Sequence, residues 1–186
     1  MTLQPSVDAG RGAKRLVGQG TIRNGHLRHH AVYAVRALAF LPALLYAIAL
    51  TLGLSGVALP FGDAALSPLA QWMLFLSLGL HSLWAAFGHL AASEMVARSI
   101  GWEPSPFQHE VGAANAGIGL AAIVAAFVGP GAAWAAFLVS ACFLWGAAAV
   151  HAREMVRARN FSINNAGPIF WWDILTPLTI FIALVA

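Results

Sequence analysis

Four acids sit in the first or last turns of long apolar segments: Glu94, Glu110, Glu154 and Asp173. Carboxylates are expensive in hydrocarbon and usually turn toward the interior of a helical bundle. Other polar residues stand beside them. Arg98 follows Glu94 by one helical turn, His109 precedes Glu110, and His151 lies one turn before Glu154. That last spacing puts His151 and Glu154 on one helix face. The amides Gln108, Asn115, Asn160, Asn164 and Asn165 fall in the same regions. Glu94, Arg98, Gln108, His109, Glu110, Asn115, His151, Glu154, Asn165 and Asp173 are therefore expected to form a buried polar layer near one end of the bundle.

Three kinds of chemistry fit such a layer. The plainest is structural: Glu94 pairs with Arg98, Arg153, Arg157 and Arg159 neutralise the rest, and Glu110 and Asp173 favour helix starts. The second is a metal site. Carboxylates from several helices plus imidazole are the ligand type of di-iron and di-manganese bundles, and hard oxygen donors with His suit iron or manganese. Its ligands would be Glu94, Glu110, His151, Glu154 and Asp173, although His151-x-x-Glu154 reverses the usual Glu-x-x-His order. The third is a proton or cation relay through the same acids. His81 and His89 lie deeper in their segment. A haem between either of them and His151 is a further option, against hydrogen-bonded interior histidines as the plainer one. The sequence specifies no cofactor. It holds no phosphate-binding glycine loop, zincin motif or nucleophile elbow. The single cysteine, Cys142, excludes an intramolecular disulfide and a cysteine-rich metal site, and reads as a small packing residue.

The elements that must position these residues follow from composition. Of 186 residues, 60% are hydrophobic and 9% charged, against roughly 25% charged in a soluble domain. Such a chain cannot cover a water-facing surface. The apolar runs lack period-two alternation, and within lipid only helices and closed barrels satisfy their own backbone. The expected fold is all-α, an integral membrane bundle of about five helices. They run from about Val32 to Leu54, Leu69 to Arg98, Phe107 to Val128, Ala132 to Arg157, and from Gly167-Pro168 to Ala186, with a turn at Gly129-Pro130-Gly131. Residues 1–31 are expected to be a flexible basic tail and 32–186 the transmembrane domain. The tail carries Arg11, Lys14, Arg15, Arg23 and Arg28 and a histidine-rich stretch at His26, His29 and His30. It reads as a solvated tail near anionic lipid, with an organelle transit peptide or a metal-binding tract as alternatives, and it lacks a signal peptide's pattern.

Charge predicts the orientation. With the N-terminus cytoplasmic, all ten Lys and Arg residues fall on or near the inside, while the outside loops carry only Asp63. This is a strong positive-inside asymmetry. Trp72 and Trp134 then mark the outer boundary, and Trp102, Trp171 and Trp172 the inner one. Trp84 and Trp145 are mid-span and expected to pack internally. The net charge of +3, so placed, answers to lipid rather than nucleic acid. The expected partners are the bilayer and a membrane-protein partner or second copy.

The chain also repeats itself. Glu94-Met95-Val96 recurs as Glu154-Met155-Val156, and each is followed by a short loop, a proline (Pro106, Pro168) and an acid (Glu110, Asp173). This predicts one leading helix and two parallel repeated hairpins. Small residues on the third helix, among them Gly112, Ala116 and Gly119, predict close packing.

Two stretches resemble a known family. One is Ile100-Gly101-Trp102 with Ser105-Pro106-Phe107-Gln108-His109-Glu110-Val111-Gly112 and Asn115. The other is Asn160-Phe161 with Asn165-Ala166-Gly167-Pro168-Ile169-Phe170 and Asp173 to Pro177. Together they resemble domain-of-unknown-function family 6790, small bacterial multi-pass membrane proteins, over the second to fifth helices. The resemblance implies a bacterial inner-membrane protein and brings no activity. Two functional expectations stand: a small transporter or accessory membrane subunit, or a membrane metalloprotein or oxidoreductase.

Overall fold

The computed structural model describes residues 39–186. The tail and the start of the first expected span lie outside the described residues. Within them the chain is helical, without a strand. The helices are α1 (Leu41–Leu54), α2 (Pro68–Ala91), α3 (Ser93–Ile100), α4 (Phe107–Val128), α5 (Pro130–Arg157), α6 (Ile163–Ala166) and α7 (Pro168–Val185). Among the described residues α2, α4, α5 and the α6–α7 run are long and apolar enough to cross a membrane, and α1 is apolar but shorter. The 22 residues of α4 make about 33 Å of helix, against a hydrocarbon core of about 30 Å.

Prolines set the helix starts. Pro68, Pro130 and Pro168 each open a helix, where the missing N–H has no partner to lose. The Ser67 hydroxyl caps α2 by accepting from the Ala70 N–H at 3.2 Å. The expected Gly129-Pro130-Gly131 turn shrinks to Gly129 alone, at φ 116°. A Cβ there would also press on the Asp63 carboxylate, 3.1 Å away.

The long helices form a closed ring in which α2 packs on α4, α4 on α5, α5 on α7, and α7 back on α2, with α1 against α2 and α7. The α2–α4 contact is close enough to need glycine. A Cβ on Gly79 would lie 2.6 Å from Ile123 Cγ1, and one on Gly119 would lie 2.9 Å from the Gly79 carbonyl. At the far end Gln71, 2% exposed, staples the 55–67 loop. Its Oε1 accepts from the Leu59 N–H at 2.8 Å and its Nε2 donates to the Asp63 carbonyl at 2.7 Å.

Each hairpin turns at the same end through a short extra helix, α3 or α6. The two turns are tied together there: Asn160 Nδ2 and the Ser162 hydroxyl both donate to the Ile100 carbonyl, and Asn164 Nδ2 donates to Ser99 Oγ.

Several expectations need correction. The second helix does not run on to Arg98. It stops at Ala91, and Ala92 (φ −139°, ψ 38°) redirects the chain into α3. Continuing straight would leave Glu94 and Arg98 on a helix of otherwise apolar length. The break lets α3 bury Ala97 and Ile100 and present its charged face outward. Trp145, expected inside, is 45% exposed, although its indole N–H still reaches the Ile174 carbonyl at 3.4 Å. Cys142 is exposed on α5 rather than packed.

Glycine at the α2–α4 crossing is testable. Gly79→Val is expected to lower stability by about 1–3 kcal/mol through overpacking. Gly117→Ala, with no neighbour within 4 Å, is expected to leave thermal unfolding in detergent unchanged or raise its midpoint slightly.

Candidate functional site

The polar centre of the bundle is His151, 6% exposed on α5. Its surroundings fix its ring. Asn165, fully buried on α6, donates through Nδ2 to the Asn160 carbonyl at 2.8 Å and to the His151 carbonyl at 3.3 Å. Its Oδ1 is thereby turned to His151 Nδ1, 2.8 Å away. An amide oxygen only accepts, so Nδ1 carries the hydrogen. The opposite nitrogen, Nε2, faces Asp173 Oδ2 on α7 at 3.8 Å. Asp173 is 3% exposed, and that oxygen has no hydrogen-bond partner among the described residues.

Trp102 covers the imidazole, its ring 5.5 Å away and only 19° from parallel. It is delivered by the end of α3. Gly101 takes the left-handed conformation at φ 88°, and the Trp102 N–H bonds back to the Ala97 carbonyl at 2.9 Å. This glycine closure is the common helix ending that a Cβ disfavours. Outside Trp102 is an open depression of about 370 Å³ lined by Gly101, Trp102, Glu103, Val150 and Glu154.

A second polar group lies deeper. Ser77 Oγ and Thr176 Oγ1 bond across α2 and α7 at 2.8 Å, and the Trp172 indole N–H donates to the Ser77 carbonyl at 2.9 Å. His81, 1% exposed, lies against Trp172 with ring centroids 3.8 Å apart, and neither of its nitrogens has a partner among the described residues. Both helices are irregular here. α2 is π-helical over Met73–Leu80, a widened turn often found at functional sites. α7 contains Pro177, which cannot donate to the carbonyl four residues back, that of Asp173.

The expected layer thus divides. Asp173, His151 and Asn165 meet in the interior. Gln108 is buried too, but its Oε1 pairs with His89 Nδ1 at 2.6 Å. Asn115 is buried and donates to Val111 on its own helix at 3.0 Å. Glu154 is half-buried at the depression, while His109 and Glu110 are exposed. Glu94 pairs with Arg98 at 3.0 Å, both side chains about seven-tenths exposed. The break at Ala92 carries Glu94 off the α2 axis, and the exposed face of α4 carries Glu110 outward. Among the described residues no three His, Cys, Asp or Glu side chains converge on a metal position. The five expected iron or manganese ligands are therefore not gathered into one shell. Trp172 and Trp84 occupy the flanks of His81, where a haem would have to approach.

The family of unknown function DUF6790 matches residues 34–186. The chain belongs to this family. The family match takes in the first apolar segment as well as the later helices, further than the two sequence stretches reach, and it leaves out the basic tail. No curated protein and no solved structure matches the chain.

Sequence reasoning missed the stacking of Trp102 and the roles of Ser77 and Thr176. Trp102 reads as a boundary aromatic, and small hydroxyls in apolar runs read as packing. Only the Gly101-Trp102 pair, a glycine helix stop followed by an aromatic, carried a local signal.

Chemically, the His151–Asp173 pair sets an imidazole nitrogen against a buried carboxylate oxygen. With Nδ1 held as a donor, a neutral imidazole and an ionised carboxylate would oppose two acceptors. Imidazolium with carboxylate, or imidazole with carboxylic acid, removes that opposition, and either state holds one proton on the pair. The separation of 3.8 Å exceeds a direct hydrogen bond and is the span of an ionic or water-mediated contact. Asn165→Ala removes the group that orients the ring. It is expected to cost about 1–3 kcal/mol, the penalty for stranding buried partners, and to speed proteolysis in the 158–162 segment, both read on purified protein.

Proposed function

We propose that the chain is a multi-pass membrane protein that uses the buried His151–Asp173 pair to take up and release a proton, as a small proton-coupled transporter or as the proton-handling subunit of a larger membrane assembly. The observation that carries this reading is an acid and an imidazole, both buried, facing each other at 3.8 Å with the imidazole's other nitrogen held by Asn165. Structural ion pairing explains Glu94 with Arg98, but among the described residues Asp173 has no arginine partner. Large exposed apolar side chains such as Leu120, Val124, Leu138, Val139 and Ile182 supply a lipid-facing surface, so the bilayer is the first partner.

The placement we propose is a bacterial inner membrane with the N-terminus cytoplasmic. The charge asymmetry supports it: the hairpin end with Arg98, Arg153, Arg157 and Arg159 would lie inside and the loop at 55–67 outside. In a background with Cys142→Ala, Ala64→Cys is expected to react with a membrane-impermeant maleimide in intact cells and Arg159→Cys only after lysis. The reverse pattern would invert the orientation.

Proton handling has its own measurement. Proteoliposomes holding the wild-type chain are expected to dissipate an imposed pH gradient faster than empty vesicles. Asp173→Asn and His151→Gln should return the rate to that of empty vesicles, while Glu110→Gln should leave it unchanged. A wild type no faster than empty vesicles rejects transport by this chain alone.

A further inference from the structure

Three buried titratable groups, His81, Asp173 and His151, come from three different helices, and the last two face each other at 3.8 Å. His81 is the outlier: two ring nitrogens, at least one of which must accept or donate, sit in an apolar bundle with no partner among the described residues. Buried polar groups of this kind are as a rule satisfied, by ordered water if not by protein.

The register of α2 against α7 puts His81 at the level of Asp173 along the bundle axis. The two helices run antiparallel, and Ser77 meets Thr176 at 2.8 Å while His81 meets Trp172 at 3.8 Å between ring centroids. From Ser77 to His81 the axis advances about 5–6 Å, and from Thr176 back to Asp173 about 4.5 Å. The levels of His81 and Asp173 therefore agree to within about 2 Å. Around α7, Trp172 and Asp173 flank Thr176 by about 40° on one side and 60° on the other at 3.6 residues per turn. Trp172 is the flank packed on His81, and Asp173 is the flank turned to His151. Pro177 removes the N–H that would donate to the Asp173 carbonyl in a regular helix. The titratable groups facing this layer are His81 and His89 from α2, His151 and Glu154 from α5, and Asp173 from α7. α4 presents His109 and Glu110 on its exposed side only.

We infer that His81 and Asp173 bind internal water between them, which extends the His151–Asp173 pair into a three-member proton path across α2, α7 and α5. The inference rests on the proton-sharing reading of that pair and adds the ligand, water or hydronium, and the route by which a proton reaches the bundle centre. The bridging water donates to Asp173 Oδ2 and accepts from or donates to the His81 ring. A proton leaving His151 through Asp173 then has an acceptor deeper in the bundle.

Magic-angle-spinning NMR on the full-length protein in liposomes, with its histidines labelled with nitrogen-15, tests this. In the wild type, magnetisation from water is expected to reach the His81 ring nitrogens. Asp173→Asn is expected to shift the ring resonances of both His81 and His151. A dry His81 ring, or one whose resonances stay put while those of His151 move, overturns the water bridge and leaves the pair intact. If neither histidine moves, the pair falls as well. Should Asp173→Asn fail to fold, His81→Phe read at His151 replaces it, with a shift expected and an unmoved His151 overturning the path.

Discussion

A helix flanked by hydrocarbon has nowhere to place a polar side chain except against another helix, and the arrangement of this bundle follows from that constraint. Its outward faces carry leucine, valine and phenylalanine. Its inward faces carry many alanines and glycines among larger side chains such as Met73, Leu78, Leu144 and Ile180, with a short series of buried polar groups. Close approach and polar interior are linked. Gly79 and Gly119 let α2 and α4 meet backbone to backbone, and the widened turn of α2 brings Ser77 and His81 toward α7. Dispersion between small residues replaces the hydrophobic effect as the source of adhesion when the surrounding solvent is itself apolar.

The polar interior is graded rather than uniform. Near the hairpin ends the contacts are amide to imidazole. His89 meets Gln108 and His151 meets Asn165, at 2.6 and 2.8 Å. Each joins the end of an outgoing helix to the start of the returning segment. The hairpins diverge in what stands behind that contact. Behind His151 is the buried Asp173; Glu110, the counterpart acid in the first hairpin, is exposed. An amide holds a ring in place in both hairpins, and among the described residues only the His151 ring has a carboxylate oxygen within 4 Å.

Two local departures from regular helix make the difference. Ala92 turns α3 across the bundle end, and the glycine ending of α3 at Gly101 lays Trp102 over His151. Pro177 leaves the Asp173 carbonyl without its helical donor. Regular helices in these places would have continued Glu94 along α2 and sealed the Asp173 backbone.

Much of this was legible in the residues themselves. Long apolar runs without alternation, punctuated by Pro68, Pro130 and Pro168, determined helices of membrane-crossing length, because neither water nor a sheet could satisfy such segments. The clustering of arginine at Glu94–Arg98 and Glu154–Arg159 marked one end of the bundle, and the repeated Glu-Met-Val marked the hairpins. What the residues did not reveal was which acid is buried. Glu94, Glu110, Glu154 and Asp173 look alike in sequence because each lies near a helix end. Whether a side chain faces core or surroundings depends on the rotation of its helix about its own axis, and a single break or widened turn changes that rotation by tens of degrees. The break at Ala92, the π turn before His81 and the packing of α7 on α5 are settled by contacts between distant segments. Those contacts put Asp173 against His151 and left Glu94 outside.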